Sequence, residues 1–186
     1  MTAANFAASS PDRTTARVRL RPTMSSDLDY VVSLEQAAEN LPFITPWDKT
    51  QHEAAIRFPD FRHFIVEGGV DLTHVGFVIL IGCRNQNQAI ELKRMVIEAK
   101  GTGFGRAALR MTKKIAFDDL GAHRFWLDVK KRNSRAKALY DSEGFVVDGE
   151  LREAVKTDQG FESLIVMSML HSEFIGRRSL GLELRA

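Results

Sequence analysis

Apolar and polar residues alternate in several short runs of the N-terminal half, and this alternation predicts β-strands. Arg17 to Arg21 (RVRLR) alternates apolar and basic residues, which is typical of an edge strand. Phe61 to Glu67 and His74 to Cys83 are predicted as neighbouring strands separated by a Gly68-Gly69 turn. The second of these strands (HVGFVILIGC) is apolar on both faces, so we expect it to be central in a sheet.

Between the first two of these strands, apolar residues recur at helical spacing, and prolines interrupt this pattern. Ser25 or Ser26 is expected to cap a helix that runs to Ala38. Asn40 to Trp47 (NLPFITPW) contains two prolines and cannot be helical throughout, which predicts an ordered loop. A short helix is expected near Asp48 to Arg57.

Strand and helix patterns alternate in the second half of the chain. The pattern predicts a strand at Ala89 to Ile97, a helix from Phe104 to Gly121, a strand at Arg124 to Val129, a helix from Asn133 to Gly144, an extended run at Phe145 to Val147 and a last strand at Phe161 to Leu170. This order indicates a mixed α/β sheet, with a parallel crossover between the strands at Glu91 and Trp126.

The chain is predicted to form one folded domain. Its 186 residues are enough to bury a core. We expect a flexible N-terminus at 1–16, the folded domain at 17–170 and a loosely packed tail at 171–186. No apolar run is long enough to span a bilayer, and the first residues contain no hydrophobic signal segment. A cytoplasmic location without membrane contact is therefore predicted.

Charge is distributed unevenly along the chain. The net charge is +2, but the stretch from Lys93 to Lys137 contains 13 Lys or Arg residues against four acidic ones. A local positive field of this kind suits a small polyanion. No basic stripe with interleaved aromatic residues indicates nucleic-acid binding. The single cysteine, Cys83, and the five scattered histidines lack metal-ligand spacing, so no metal site is expected.

A glycine-rich segment, Lys100 to Arg106 (KGTGFGR), lies at a strand-to-helix junction. Glycines there let backbone N–H groups approach an anion, and the helix N-terminus adds partial positive charge. A P-loop would need Gly-Lys-Ser/Thr at its end, whereas Gly105 is followed by Arg106 and Ala107. The third glycine of a dinucleotide-binding fingerprint is also missing. The chemistry that remains indicated is diphosphate binding.

A second pattern, Asn133-x-x-Ala136-x-x-Leu139-Tyr140-x-x-x-Gly144, lies on the next predicted helix. Ala136 and Tyr140 are one turn apart on one face, so the small residue leaves room for a ligand beside the tyrosine hydroxyl. Alone, this could be an ordinary amphipathic helix with Asn133 as N-cap and Gly144 as C-cap. The order of the glycine loop and this helix favours the ligand-binding interpretation.

The ordered set of motifs resembles the coenzyme A core of the GNAT N-acetyltransferase superfamily, most densely over 90–145. Gly103 and Gly105 match the family pattern Gln/Arg-x-x-Gly-x-Gly/Ala, while Lys100 replaces its first residue. The resemblance implies the GNAT fold, a mixed and mostly antiparallel sheet of about six or seven strands flanked by about four helices. It also implies that this sheet is splayed where acetyl-CoA, the cosubstrate, binds.

The resemblance implies roles for individual residues. Backbone groups of Met95, Val96 and Ile97 would bind the pantetheine arm. Tyr140 would donate a proton to the departing thiolate. Glu91, on the cofactor-binding strand, is the candidate general base, although it could instead pair with a basic neighbour across the sheet. The other cofactor-binding residues implied are Lys100, Gly101, Gly103, Phe104, Gly105, Arg106, Asn133 and Ala136.

The function implied is acetyl-CoA-dependent N-acetylation by direct attack of an acceptor amine, either a protein N-terminus or a small amine. Phe43, Ile44 and Trp47 are expected to line the acceptor pocket. Residues 144–170 resemble the branch that contains ribosomal-protein N-terminal acetyltransferases. Two alternatives stay open, namely a non-catalytic acyl-CoA-binding or sensing module on the same fold and an unrelated nucleotide-binding α/β domain. A homodimer formed through the last strand and the tail is a further hypothesis.

Overall fold

Seven strands form one mixed sheet in the computed structural model, which describes residues 17–183. They are β1 (Val18–Pro22), β2 (Phe61–Gly68), β3 (Thr73–Ile81), β4 (Ala89–Ile97), β5 (Arg124–Lys130), β6 (Val146–Thr157) and β7 (Gly160–Leu170). Their order is β1-β2-β3-β4-β5-β7-β6, and only β4 and β5 are parallel. The predicted sheet type and the parallel crossover are confirmed. The N-terminal segment predicted to be flexible, 1–16, lies outside the described residues.

Five α-helices flank this sheet in the described part of the chain. They are α1 (Leu28–Gln36), α2 (Lys49–Arg57), α3 (Phe104–Lys114), α4 (Ser134–Ser142) and α5 (His171–Ser179). A 3-10 turn at Ser25–Asp27 precedes α1, and a π-helical turn at Ile115–Asp119 extends α3. None of the described helices is both long and apolar enough to cross a membrane.

Local capping explains where several helices begin. The Asp48 side chain accepts a hydrogen bond from the backbone N–H of Gln51 at 2.8 Å, and the Gln51 side chain reciprocates at the Asp48 N–H. Asn133 caps α4 by accepting from the N–H of Ala136 at 3.2 Å. Gly144 follows α4 with a φ of 92°, the left-handed conformation in which a helix commonly ends.

The sheet buries an apolar core on each of its faces, as the double-sided apolar run of β3 predicts. Val78 and Leu80 contribute to the larger core, which also contains residues of α3 and α5. Phe77 and Ile79 contribute to the smaller core, beneath α1. All four of these β3 side chains are fully buried. The prediction of a central strand is therefore confirmed.

Residues 171–179 of the C-terminal tail form the helix α5, and this part is not the loosely packed segment that the sequence predicts. Phe174 is 1% exposed and stacks on Phe117, with the two ring centroids 4.6 Å apart. The guanidinium of Arg178 also lies over the Phe174 ring, 4.5 Å from the ring centroid. The sequence prediction was wrong because one anchoring aromatic does not produce a repeating apolar period.

The hypothesis of a homodimer formed through the last strand requires that strand to lie at the sheet edge. The last strand, β7, does not lie there. β7 pairs with β5 on one side and with β6 on the other. The edge is formed by β6, which extends well beyond the predicted run at Phe145 to Val147. β6 is at the edge because β6 and β7 form a long antiparallel hairpin, in which β6 lies on the outer side of β7.

Candidate active site

The site is created where β4 and β5 separate. These two parallel strands pair only over Ala89–Glu91 and Arg124–Trp126, after which no register is shared. A bulge on β4 leaves Lys93 without a partner on β3, because Ile79 is opposite Arg94 and Leu80 is opposite Leu92. The strands diverge beyond this point and open a cavity of about 1320 Å³.

Seven segments contribute to the cavity lining. They are the α1–α2 loop (Asn40, Phe43, Ile44, Thr45, Trp47), β4 (Leu92 to Ile97), the glycine loop (Ala99 to Gly103), α3 (Gly105, Arg106, Ala107, Arg110), β5 (Asp128 to Lys130), α4 with its cap (Asn133, Arg135, Ala136, Ala138, Leu139, Tyr140, Ser142) and the β6–β7 hairpin (Val155, Leu164). The structure therefore brings together all but two of the residues predicted for the site. Glu91 and Phe104 are not among the lining residues.

The glycine loop is shaped to hold an anion. Gly101 and Gly103 have φ angles of 80° and 89°, which a residue with a side chain rarely adopts. Gly103 is the N-cap of α3, so the first N–H groups of this helix have no intrahelical acceptor. A Cβ atom at Gly105 would lie 3.8 Å from both Ile97 Cγ1 and Leu139 Cδ2, so the protein itself leaves room there. Free N–H groups and open space suit a pyrophosphate.

Two arginines of α3 add positive charge to this end of the cavity. Arg106 and Arg110 both bind the carboxylate of Glu143, with Arg110 Nε donating at 2.9 Å. Glu143 is fully buried. Burial raises the pKa of Glu143, but hydrogen bonds from Arg110 and Arg106 and the charge of Lys113 outweigh it, so the pKa lies below its usual range. The anchored guanidinium groups complement the phosphates of a nucleotide-like ligand.

Lys100 lines the cavity but is already engaged by neighbouring groups. Its Nζ donates to the carbonyl oxygen of Ile97 and, at 2.9 Å, to Oδ1 of Asn40. Burial lowers the pKa of Lys100 from its usual value. This lysine thus ties the glycine loop to the start of the α1–α2 loop.

Tyr140 presents a phenol to the cavity from α4. The residue is 8% exposed, and within residues 17–183 its hydroxyl makes no hydrogen bond. Burial, assisted by the charge of Asp128, raises the pKa of Tyr140 to about 12. The phenol is therefore protonated at neutral pH and has a proton available for a group that enters the cavity.

Two carboxylates near the strand separation differ in position. Glu91 bonds with Lys93 Nζ at 3.1 Å and does not line the cavity. Asp128, on β5, does line it and is exposed there. Sequence reasoning did not assign Asp128 to the site. Its position at the end of the strand after the crossover was the signal that could have identified it.

The predicted acceptor residues line the cavity from a loop that is anchored at several points. The carbonyl oxygen of Pro42 accepts from Lys130 Nζ at 2.9 Å and from Arg132 Nη2 at 2.7 Å. The backbone N–H of Trp47 donates to Glu35 Oε2 at 2.5 Å. Phe43, Ile44 and Trp47 are thereby held against the cavity. Phe104, in contrast, packs against the larger core, beside Gly68.

A chain of buried polar side chains behind this loop was missed by sequence reasoning. The fully buried Glu35 carboxylate pairs with Arg94, whose guanidinium lies 5.1 Å from the Trp47 ring centroid. His52 Nε2 lies 3.6 Å from Glu35 Oε1, and His52 Nδ1 is 3.1 Å from His63 Nε2. Burial, with a further contribution from His52, lowers the pKa of His63 to about 3. Residues so far apart in sequence offered no local pattern.

The family follows from a comparison with known domains. Residues 17–146 match the acetyltransferase (GNAT) domain. The chain therefore belongs to the GNAT family, and it is an acyltransferase that uses acetyl-CoA as its cosubstrate. The strand separation, the glycine loop and the anchored arginines fit a coenzyme A thioester, which agrees with the predicted fold, enzyme class and cosubstrate.

Similar proteins include several spermidine N-acetyltransferases. Spermidine N(1)-acetyltransferase of Escherichia coli (strain K12) is 25% identical over 169 residues, which is 85% of this chain and 88% of that protein. The Vibrio cholerae spermidine N-acetyltransferase in complex with CoA and spermine superposes with a TM-score of 0.77 at 24% identity, over 85% of this chain and 98% of that one. A dodecameric structure of the Vibrio cholerae enzyme gives a TM-score of 0.74 at 24% identity, over 86% and 97%.

The names of these relatives can be compared with the branch of the family that residues 144–170 resemble. By name they are spermidine N-acetyltransferases and not the ribosomal-protein N-terminal acetyltransferases that residues 144–170 resemble. The GNAT family is thus established, whereas the ribosomal branch gains no support from them. At 24% identity, the structural likeness establishes the fold alone.

Proposed function

We propose that this protein transfers the acetyl group of acetyl-CoA to the amine of a small molecule. The observation that carries the proposal is the single cavity shared by the anion-binding glycine loop, the protonated phenol of Tyr140 and an apolar loop surface. The relatives acetylate, by name, the small amine spermidine, and none of those compared is named for a peptide acceptor. A small amine is therefore preferred over a protein N-terminus.

The cofactor-binding roles follow the lining of the cavity. Met95, Val96 and Ile97 line the separated edge of β4, where their backbone groups can pair with the pantetheine amides. The N–H groups of Gly105 and Arg106, at the start of α3, would bind the pyrophosphate. The remaining contacts are proposed for Lys100, Gly101, Gly103, Asn133 and Ala136, all of which line the cavity.

The proposed reaction is a direct transfer. The neutral acceptor nitrogen attacks the thioester carbonyl carbon, and a new C–N bond forms as the C–S bond breaks. Asp128 accepts the proton that the nitrogen loses, and Tyr140 donates a proton to the departing sulfur. We propose Asp128 for the basic role in preference to Glu91 because Asp128 lines the cavity, whereas Glu91 does not and is paired with Lys93.

The first test is thiol release from acetyl-CoA with a panel of polyamines, monoamines, amino acids and peptides with free N-termini. Saturable, protein-dependent release with a small amine is expected. Release with peptides alone would replace the small-molecule acceptor by a protein N-terminus. Tight acetyl-CoA binding without release for the whole panel would favour the non-catalytic sensing module.

Replacement of Tyr140, the proposed acid, tests whether this residue acts in catalysis or in the binding of acetyl-CoA. Tyr140→Phe should lower kcat by roughly 100-fold or more, since general acid catalysis commonly contributes this much. The Kd for acetyl-CoA, measured by calorimetry, should change less than about twofold because the phenol makes no other hydrogen bond in the described part of the chain. A weaker Kd with unchanged kcat would assign Tyr140 to binding.

Assembly is a separate proposal. The 12-residue strand β6 lies at the edge of the sheet, and no strand pairs with its outer side within the described chain. This edge, rather than β7, is the proposed place for pairing between copies, and one relative is dodecameric. Light scattering of the purified protein would report the number of subunits.

A further inference from the structure

One part of the cavity lining is apolar. We name it the acceptor wall and define it as Phe43, Ile44, Trp47, Leu92, Val155 and Leu164, all of which line the cavity. The α1–α2 loop, β4 and the β6–β7 hairpin contribute these side chains. Three of them belong to the anchored loop, so the wall is largely formed before any ligand enters.

Charge in the cavity is almost entirely positive. Seven of the described lining residues are Lys or Arg, whereas Asp128 is the one carboxylate among them. Two of these cations contact the loop that carries Phe43 and Trp47, Arg94 through the Trp47 ring and Lys130 through the Pro42 carbonyl oxygen, and both are 9% exposed. Their partners are Glu35, which is fully buried behind Arg94, and Glu162, which lies 2.9 Å from Lys130 Nζ. Neither glutamate lines the cavity, so neither can accept a ligand ammonium there.

These charges limit the number of ammonium groups that an acceptor in the cavity can carry. A single ammonium can pair with the Asp128 carboxylate when the acceptor enters the cavity. A second ammonium on the same molecule would have to lie against apolar side chains near Arg94 and Lys130, without a carboxylate partner. Burying an unpaired charge is costly, and like charges at short range add to that cost in a cavity of low dielectric constant.

From this arrangement we infer that the acceptor is a primary amine on an apolar body with no second positive charge, an alkylamine or arylalkylamine, and that polyamines are rejected. The inference rests on the proposed function and narrows its substrate class. The aromatic ring of Trp47 and the side chain of Phe43 receive the apolar body. Asp128 receives the only ammonium.

The test compares hexylamine with hexane-1,6-diamine, which match in length and in the reacting amine and differ in the second charge. Phenethylamine and spermidine extend the series. The expected kcat/KM for hexylamine is at least about tenfold higher than for the diamine, which corresponds to about 1.4 kcal/mol. An equal or higher value for the diamine or for spermidine overturns the inference and leaves the proposed function intact. Absence of thiol release with every amine overturns both.

Two variants of Phe43 test whether charge is the cause of the expected preference for hexylamine over the diamine. Phe43 belongs to neither apolar core, so its replacement should leave the fold intact. Phe43→Glu supplies the missing carboxylate and should reduce the preference for hexylamine at least about fivefold, while Phe43→Gln, equally polar but uncharged, should not. The ratio of the two kcat/KM values does not depend on the fraction of active protein. An equal effect of both variants would refute the electrostatic explanation.

Discussion

Tyr140 and Asp128 reach the same cavity from two different elements, α4 and β5. Their environments differ, since the phenol is buried whereas the carboxylate is open to the cavity. Burial raises the pKa of Tyr140 to about 12. A protonated acid and an accessible carboxylate in one cavity are suited to the two proton transfers that we propose for amine acetylation.

The two candidate bases can be separated by matched substitutions. Asp128→Asn should lower kcat/KM for the acceptor by roughly 100-fold, the scale of general base catalysis. Glu91→Gln should change it by less than about threefold, because Glu91 lies outside the cavity lining and pairs with Lys93. Steady-state kinetics with saturating acetyl-CoA would show the difference. The reverse order of effects would restore Glu91 as the base.

At the scale of elements, the junction of β4 and α3 forms the proposed anion site. The sheet directs the end of β4 toward the cavity, and two left-handed glycines turn the chain into α3. Gly105, one residue into the helix, has no such conformational requirement. We therefore propose that its small size makes room for the ligand and is not required by the fold.

Gly105→Ala tests this difference between fold and ligand. The added Cβ meets ordinary contacts of 3.8 Å, and alanine is favoured over glycine in helices by up to about 1 kcal/mol, so Tm should be unchanged or higher. The KM for acetyl-CoA should rise at least about tenfold, because loss of one hydrogen bond to a charged group costs roughly 1.5–3 kcal/mol. A lower Tm with unchanged KM would show that Gly105 is needed for folding alone.

The tail helix α5 is predicted to contribute to stability. Phe174→Ala should lower the free energy of unfolding by about 3–5 kcal/mol, as expected for removal of a buried aromatic ring. Ile175→Ala, at a neighbouring position that is 39% exposed, should cost less than about 1 kcal/mol. Urea unfolding would compare the two. Equal effects would show that the packing of α5 does not stabilise the domain.

At the scale of the whole molecule, a buried ionic cluster joins the anion site to the C-terminal segment. The Glu143 carboxylate binds Arg106, Arg110 and Lys113, and Lys113 Nζ also donates to Glu183 Oε1 at 2.6 Å. Lys113 and Glu143 are both fully buried. Removal of Glu143 would leave Arg106 and Arg110 without their carboxylate partner, so the cluster couples stability to the geometry of the two arginines proposed to face the phosphates.

Glu143→Gln should lower the free energy of unfolding by about 3–5 kcal/mol at neutral pH. Because the folded pKa of Glu143 is below the ordinary value of 4.5, its stabilisation is complete above pH 4.5 and is lost as pH falls through the folded pKa. The difference from the wild type should therefore shrink on acidification. Asp141→Asn, which removes an exposed pair with Lys137, should cost less than about 0.5 kcal/mol. A pH-independent difference would contradict this assignment.

The sequence alone determined the features that depend on short-range pattern. Strand alternation, helix period and glycine spacing are local consequences of side-chain direction, and they sufficed for the sheet type, the anion loop and the helix that carries Tyr140. The family resemblance is densest over one continuous stretch, 90–145, where these local patterns follow one another.

Tertiary structure alone decided which distant residues share the cavity. The separation of β4 from β5 placed Asp128 inside it and left Glu91 outside. Folding also brought Glu35 to Arg94, and Glu183 to Lys113. These contacts join segments far apart in sequence and arise from how the sheet and helices pack, so no local periodicity encodes them.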